Sequence, residues 1–229
     1  MFSKFRKKGV FLYDPTSYSN AINFIESFVI LSCSTKEEAR SCLNYFLEVV
    51  GRDIETSVQA LHIYKDAYCT AAERPFPEYC HTDFNTSIYL VDEKNTVPID
   101  LSKNIVITKP WCMYERLLPN LKNIKANEFK YDKSNHFSTF YPYMNICAVW
   151  NVCHSISCGK HFKKGIIYSA VYDTETAFKY IDTDGRRWIF KGGFESDYDV
   201  KDFRFAFLFK IAKLLFDITH DKNGEVIDD

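Results

Sequence analysis

The stretch MNICAVWNVCHSISCG, residues 144–159, carries the signal that decides the fold. Its first half contains the apolar run 146–150, which has the length of a buried strand, and its second half is polar and ends in Gly159. This change predicts a strand over 144–150 and then a helix that begins near Cys153 or His154. One short segment thus indicates both kinds of secondary structure, side by side.

Downstream of this stretch the pattern continues to mix strand and helix. Residues 166–172 are rich in β-branched and aromatic side chains and predict a strand. Short strands over 178–181 and 187–190 are joined by a turn at Gly185, since glycine adopts positive φ without strain. A helix capped by Asp202 extends to about residue 220 and is apolar nearly all round, so we expect it to be buried.

Upstream, the first third of the chain is predicted to be helical. Apolar residues near Ile22 have helical spacing, and Thr35 with Glu38 forms a capping box that opens the next helix. Its apolar positions recur every three or four residues up to Gly51, which we interpret as a left-handed terminator. A third helix is predicted over 53–72.

The composition then changes to strand formers. Strands are predicted over 86–92 and 97–108, separated by a polar break at 93–95. Helical spacing returns over 111–124, where Pro119 is expected to kink or end the helix. A short strand is expected over 137–141.

These elements together predict an α+β fold. A helical N-terminal part, residues 1–82, is expected to pack on a small mixed β-sheet with flanking helices, formed by residues 83–229. The chain has 229 residues, of which 46% are hydrophobic. That length and composition suffice to bury a core, which excludes a disordered chain.

Charge and cysteine content limit the classes of partner. The net charge is −1, so the chain exerts no long-range attraction on nucleic acid or on an anionic membrane, and nucleic acid stays open as a partner only through a local basic patch. Residues 1–20 lack the apolar core of a secretion signal, and no stretch has the length and apolarity of a membrane span. The eight cysteines are therefore expected to be reduced, mostly buried thiols of a cytoplasmic protein.

The densest polar group of residues follows the strand over 144–150. Asn151, His154 and Ser155 lie at the predicted start of a helix, where backbone N–H groups and the helix dipole hold phosphate or carboxylate groups. His154 and Ser155 would add hydrogen bonds or proton transfer. The plainer interpretation is that Asn151 or Ser155 only caps the helix.

A second polar pair, Asn135 and His136, precedes the strand over 137–141. If that strand lies beside the one over 144–150, His136 and His154 converge on one site. A surface loop histidine is the plainer interpretation of His136.

The sequence leaves two other chemistries open, a zinc site and a cysteine nucleophile. Zinc prefers thiolate and imidazole ligands, which cluster here within fifteen residues: Cys147, Cys153, His154, Cys158 and His161. Alternatively, Cys153 at a helix start could have a lowered thiol pKa and act as a nucleophile with His136. The standard nucleotide-binding, hydrolase and metalloprotease motifs are absent from the chain.

The order of several short motifs resembles a family of uncharacterised bacterial proteins and, more distantly, the ParB/sulfiredoxin-like fold. The motifs span about residues 86–190: Val97-Pro98-Ile99-Asp100-Leu101, Glu115-Arg116-Leu117-Leu118, Asn135-His136, residues 151–159 and Thr183-Asp184-Gly185. The resemblance implies a turn at a helix start that grips nucleotide phosphates. It also implies that Arg116, in a helix before the sheet, supplies a cation.

On this basis the leading hypothesis is a protein that binds a nucleotide or a phosphorylated ligand, with phosphoryl-transfer or nuclease-type activity. The predicted catalytic residues are His154 and His136, and the predicted ligand-binding residues are Asn151, Ser155 and Arg116. No cofactor, oligomeric state or resident metal is predicted. The alternative is a non-catalytic interaction module with a degenerate site, since Phe137 and Cys153 depart from the motifs of the resembled families.

Overall fold

The computed structural model describes residues 15–64, 74–82, 86–109, 113–151, 153–191 and 198–220. Within these ranges it contains six α-helices and nine strands, which confirms the predicted α+β class. The helices are α1 (Pro15–Phe24), α2 (Lys36–Tyr64), α3 (Leu118–Ala126), α4 (Cys153–His161), α5 (Thr174–Tyr180) and α6 (Phe203–Thr219). The strands are β1 (Tyr79–His81), β2 (Ser87–Tyr89), β3 (Val91–Asp100), β4 (Ile105–Ile107), β5 (Ser138–Tyr141), β6 (Ile146–Val149), β7 (Ile166–Tyr172), β8 (Ile181–Thr183) and β9 (Trp188–Phe190).

The centre of the molecule is a mixed five-stranded sheet with the order β3-β7-β5-β6-β4. β3 pairs antiparallel with β7 and β5 with β6, whereas β5–β7 and β4–β6 are parallel. Two small antiparallel hairpins, β1–β2 and β8–β9, lie outside this sheet. The predicted turn at Gly185, with φ of +85°, joins β8 to β9.

Alternating side chains of the central strands bury both faces of the sheet. Ile105 and Ile146 belong to a large core shared with α1, α2 and α6. Their neighbours Val106 and Cys147 belong to a smaller core with Cys153 and Ile156 of α4. Successive strand residues point to opposite faces, so a fully apolar strand such as β6 needs helices on both sides.

One long helix replaces the two helices that were predicted around Gly51. α2 runs from Lys36 to Tyr64 without interruption. A Cβ at position 51 would lie 2.9 Å from Cδ1 of Ile105 and 3.3 Å from Cγ2 of Ile146. Gly51 therefore permits α2 to approach the sheet closely, and it does not end a helix. The part of the predicted third helix beyond residue 64 lies outside the described residues.

The capping signals at two helix starts are confirmed. Oγ1 of Thr35 accepts the backbone N–H of Glu38 at 3.1 Å, and the Glu38 carboxylate accepts that of Ser34 at 2.7 Å. Asp202 caps α6 by accepting the backbone N–H of Arg204 at 3.0 Å. Most of α6 is buried as expected, including Phe207 and Leu215.

Three local predictions were wrong in type or position. Phe178 belongs to helix α5 and not to a strand, because Asp173 caps that helix by accepting the N–H of Thr176 at 3.0 Å. Pro119 lies in the first turn of α3, directly after a π-helical turn, and the helix continues past it to Ala126. The break at 93–95 is a bulge inside the continuous strand β3.

Among the residues described, none of the helices is both long enough and apolar enough to cross a membrane. The large core contains residues on both sides of the predicted boundary at 82 and 83. That division into two parts stays a prediction.

Candidate ligand-binding site beside strands β5 and β6

The polar segments before β5 and after β6 meet because these two strands pair. Ser138 lies opposite Val149 at the end of the antiparallel ladder. Beyond that pair, the backbone N–H of Trp150 donates to the carbonyl of Phe137 at 3.1 Å, and their rings stack with centroids 5.0 Å apart. We call residues 135–137, 150–151 and 153–155 the junction.

Asn151 connects the two halves of the junction. Its side-chain Nδ2 donates to the carbonyl of Asn135 at 3.0 Å, and its backbone N–H approaches the carbonyl of Phe137 at 3.4 Å. The side chain is exposed. Asn151 thus fixes the turn that leads from β6 towards α4.

His136 and Ser155 form the central contact of the junction. Nε2 of His136 lies 2.9 Å from Oγ of Ser155, which belongs to the first turn of α4. On the other side of the ring, Nδ1 accepts the backbone N–H of Asp132 at 2.9 Å. A nitrogen that accepts an N–H carries no proton, so the neutral ring has its proton on Nε2 and donates it to Ser155.

The surroundings of His136 favour its neutral form. The ring is 5% exposed and stacks on Phe129 with centroids 5.4 Å apart. Burial lowers the pKa of His136, while the nearby Asp132 carboxylate partly opposes that shift. The Asp132 carboxylate is itself stabilised by hydrogen bonds, first of all from the Ser134 hydroxyl at 2.6 Å, which lowers its pKa.

His154 is adjacent to Ser155 in α4 but is buried, with 4% exposure. The pairing of β5 with β6 brings the segments of His136 and His154 together, as the sequence hypothesis required. The hydrogen bond to His136, however, is made by Ser155. Sequence patterns favoured His154 because histidine is the usual proton-transfer residue, and they could not show which residue of the turn faces His136.

Ser155 also lines an open polar cleft between α3 and α4, which we call the α3–α4 cleft. Its volume is about 580 Å³. Besides Ser155, it is lined by side chains from α3 and the loop that follows: Asn120, Asn123, Ile124, Asn127, Glu128, Phe129 and Lys130. Except for Ser155, none of these had been predicted, since amides and lysine in an exposed helix have no distinctive spacing.

Arg116 lies close to this cleft along the chain. It is exposed, in a π-helical turn (Met113–Leu117) immediately before α3. One turn later, Nδ2 of Asn120 donates to the Arg116 carbonyl at 2.8 Å. The same π-helical turn packs on α4, where the thiol of Cys158 lies 3.9 Å from the Leu117 carbonyl.

A lysine secures the far end of α3. Nζ of Lys164 donates to the carbonyls of Ile124, Lys125 and Asn127 at 3.3, 3.4 and 3.3 Å. A cation is stabilising there because the C-terminal end of a helix carries partial negative charge. This contact fixes α3 beside α4 and thereby preserves the shape of the cleft.

The structure does not support either of the two chemistries considered for the cysteines, zinc binding and nucleophilic attack by Cys153. Within the described part of the chain, no group of three or more His, Cys, Asp or Glu side chains could hold a metal ion. Cys147 is buried in β6 and contacts Oγ of Ser169 at 3.1 Å. Burial raises the pKa of the Cys153 thiol, which is the opposite of what a nucleophile at a helix start needs.

Fold and site together define an α+β protein with a polar cleft beside the point where two antiparallel strands lead into a helix. By sequence, the chain belongs to a family of unknown function, DUF6710, whose model matches residues 4–221. Comparison with curated proteins and comparison with solved structures each found no match. The expected membership in an uncharacterised family is confirmed. The ParB/sulfiredoxin-like resemblance gains no support from these findings and stays a prediction.

Proposed function

We propose that this protein binds a nucleotide or another phosphorylated small molecule in the α3–α4 cleft. The observation that carries the proposal is the hydrogen bond from His136 to Ser155, which holds a hydroxyl in the wall of a cleft of about 580 Å³. Clefts of this size are typical of small-molecule sites. Ser155 lies in the first turn of α4, where the helix dipole favours an anion.

The charges around the cleft support an anionic ligand. Lys130 and Glu128 both line it, and Arg116, one turn before the lining residue Asn120, adds a further positive charge nearby. Over residues 113–136 the chain carries five basic and three acidic side chains. The amides of Asn120, Asn123 and Asn127 add donors for phosphate or sugar oxygens.

The proposal is binding and does not extend to phosphoryl transfer or nuclease-type cleavage. A base at His136 would have to accept a proton at Nε2, where the neutral ring already carries one. The other tautomer would set an N–H at Nδ1 against the N–H of Asp132. We therefore assign His136 and Asn151 positioning roles, with contacts to the ligand from Ser155 and Lys130.

A second candidate function is a non-catalytic interaction module, and the burial of His154 favours it. Under that hypothesis His154 is a core residue and the cleft has no small-molecule ligand. A cytoplasmic location is part of both proposals. Its support is that all six cysteines in the described ranges are free thiols.

Thermal unfolding with phosphate-containing probes tests the proposal. We expect sodium tripolyphosphate and ATP to raise the melting temperature saturably, compared with sodium chloride at equal ionic strength, because a ligand of the folded state stabilises it. Ser155→Ala and Lys130→Ala should remove most of that increase. Lys179→Ala, which changes an exposed lysine of α5, is the matched control and should respond like the parent.

Absence of any stabilisation by tripolyphosphate, ATP or ribose 5-phosphate would contradict the proposal. Equal stabilisation of the parent and of Ser155→Ala would instead show that phosphate binds elsewhere. If no probe binds and His154→Ala also unfolds the protein, the interaction module is the better description.

A further inference from the structure

One wall of the α3–α4 cleft is a row of asparagines whose amide orientations are fixed by the backbone. Asn120, Asn123 and Asn127 are three and four positions apart, so they share one face of α3 and its C-terminal end. Nδ2 of Asn120 donates to the Arg116 carbonyl at 2.8 Å, and Nδ2 of Asn127 donates to the Asn123 carbonyl at 3.2 Å. A backbone carbonyl only accepts, so these contacts identify the nitrogen of each amide and leave Oδ1 as an acceptor for a ligand.

The middle asparagine has the opposite orientation. Oδ1 of Asn123 accepts Nδ2 of Asn127 at 2.8 Å, which leaves Nδ2 of Asn123 as a donor. The row therefore presents an acceptor, a donor and an acceptor in succession. Beyond it, Glu128 adds a carboxylate and Lys130 an ammonium group, and neither has an ion-pair partner in the described part of the chain.

This succession of groups matches hydroxyls better than phosphate alone. The oxygens of an ionised phosphate only accept hydrogen bonds, so they leave the Oδ1 acceptors and the Glu128 carboxylate without a donor. A hydroxyl both donates and accepts. Adjacent hydroxyls of a sugar can therefore pair with Asn120, Asn123 and Asn127 in turn.

The lining also suits a sugar better than a nucleobase. Proteins bind bases by stacking them on rings as well as by hydrogen bonds to their edges. Phe129 is the only aromatic residue that the described ranges contribute to this lining, and its ring already stacks on His136 with centroids 5.4 Å apart. The ring also packs so closely on Gly165 that no side chain would fit there. A base would therefore find little aromatic surface in the cleft.

We infer that the ligand of the α3–α4 cleft is a phosphorylated sugar that is recognised through its hydroxyls. In this assignment Lys130 and Ser155 contact the phosphate, and the asparagine row with Glu128 binds the hydroxyls. The inference rests on the proposed function, because it names the class of ligand for the same cleft.

A comparison of four phosphate monoesters by calorimetric titration tests the inference: ribose 5-phosphate, glucose 6-phosphate, AMP and butyl phosphate. Butyl phosphate has no hydroxyls, and AMP adds a base to ribose 5-phosphate. We expect at least one sugar phosphate to bind about tenfold more tightly than butyl phosphate, which corresponds to one or two hydrogen bonds. AMP should bind no more tightly than ribose 5-phosphate.

Substitutions in the asparagine row test the residues. Asn120→Leu and Asn123→Leu remove the amides without lowering helix propensity, and should weaken sugar phosphate binding about tenfold. Both should leave butyl phosphate binding unchanged. Asn44→Leu makes the same change at an exposed position of α2 and should bind every probe like the parent. Because Asn123 is exposed, its variant carries the test even if Asn120→Leu unfolds.

The inference is overturned if butyl phosphate binds as tightly as both sugar phosphates, or if Asn123→Leu binds them like the parent. In either case the proposed function would stand. Binding of AMP about tenfold more tightly than ribose 5-phosphate would also overturn it, in favour of a nucleotide. If none of the four probes binds at millimolar concentration, the proposed function fails together with the inference.

Discussion

At the scale of single residues, His136 shows how backbone contacts decide what a histidine can do. Its Nδ1 accepts the N–H of Asp132, and its Nε2 faces the hydroxyl of Ser155. Protonation would place a second N–H against the Asp132 amide. The residue is therefore a neutral donor in the folded protein, and its burial lowers its pKa in agreement with this geometry.

A lowered histidine pKa makes stability depend on pH in a defined direction. The unfolded state takes up a proton near the ordinary pKa of 6.5, whereas folded His136 resists it. The stabilisation that folding gains from keeping His136 neutral is therefore complete above a pH equal to the ordinary pKa of 6.5. It is lost as the pH falls through the lower pKa of the folded state. Urea unfolding between about pH 7.5 and about pH 5 should show this loss in the parent and a smaller loss in His136→Gln.

His161→Gln serves as the comparison, because this histidine of α4 is exposed and its substitution should leave the slope unchanged. The pKa values of three carboxyl groups are also lowered, but these groups change the stability only below their ordinary pKa of 3.8, which is outside the pH range of the experiment: Asp100, Asp132 and Asp182. An identical pH slope in the parent and in His136→Gln would show that the ring is not held neutral.

At the scale of elements, the close approach of α2 to the sheet determines how the largest helix packs. Gly51 lies in the middle of α2, and the side chains of Ile105 and Ile146 occupy the space where a Cβ would be. A buried network extends the same interface. Glu55 accepts the N–H of Val106 at 2.6 Å and pairs with Lys160 of α4 at 2.5 Å, so it links layers on both faces of the sheet.

Replacing Gly51 by leucine tests this packing. Leucine is the better helix former by roughly 0.8 kcal/mol, so a change in propensity alone would stabilise α2. We expect a loss of about 1–3 kcal/mol in the free energy of unfolding instead, because the new side chain must displace Ile105 and Ile146. Chemical denaturation with a linear extrapolation measures the difference.

The same substitution at Ser41, which is exposed in α2, gives the matched control and should change stability little. If Gly51→Leu and Ser41→Leu unfold at the same denaturant concentration, the helix does not contact the sheet at position 51.

At the scale of the whole molecule, a single large core joins the N-terminal helices to the sheet and to α6. Tyr18, Leu43, Ile146 and Phe209 all belong to it. Arg204 of α6 reinforces the contact with α2, since its Nη1 lies 2.7 Å from the Asp53 carboxylate. Cysteines contribute to both cores as buried thiols, for example Cys80 in the large core and Cys147 in the small one.

We expect all eight cysteines to be reduced in the native protein. The six that the structure describes are free, and Cys69 and Cys112 lie outside the described residues. Protein prepared without added reductant is denatured in an alkylating reagent and its mass is measured, and eight adducts are expected. In the folded protein, buried Cys147 should react far more slowly than Cys42, because its pKa is raised to about 11 by burial. Two or more stable disulfides would contradict both the thiol prediction and the proposed cytoplasmic location.

Local sequence patterns were sufficient to predict those elements whose structure depends only on their own residues. The apolar run of 146–150 and the polar segment after it predicted β6 and α4, and Asp202 predicted the start of α6. The β8–β9 turn was predictable because Gly185 alone satisfies its positive φ. In each of these cases the hydrophobic period or the backbone angle of the segment itself determines the outcome.

Tertiary structure decided everything that depends on a partner distant in sequence. From the sequence alone, Gly51 predicts the end of a helix. In the structure the glycine is needed because the side chains of Ile105 and Ile146 occupy the space where a Cβ would be, and the helix continues. The sequence indicated that the segments of His136 and His154 meet, but Ser155, nineteen positions from His136, makes the contact. The register of β5 against β6 and the rotation of α4 on the sheet together select that residue. The α3–α4 cleft likewise exists only where Ser155 of α4 meets α3 and the loop after it, so no single segment could have predicted its lining.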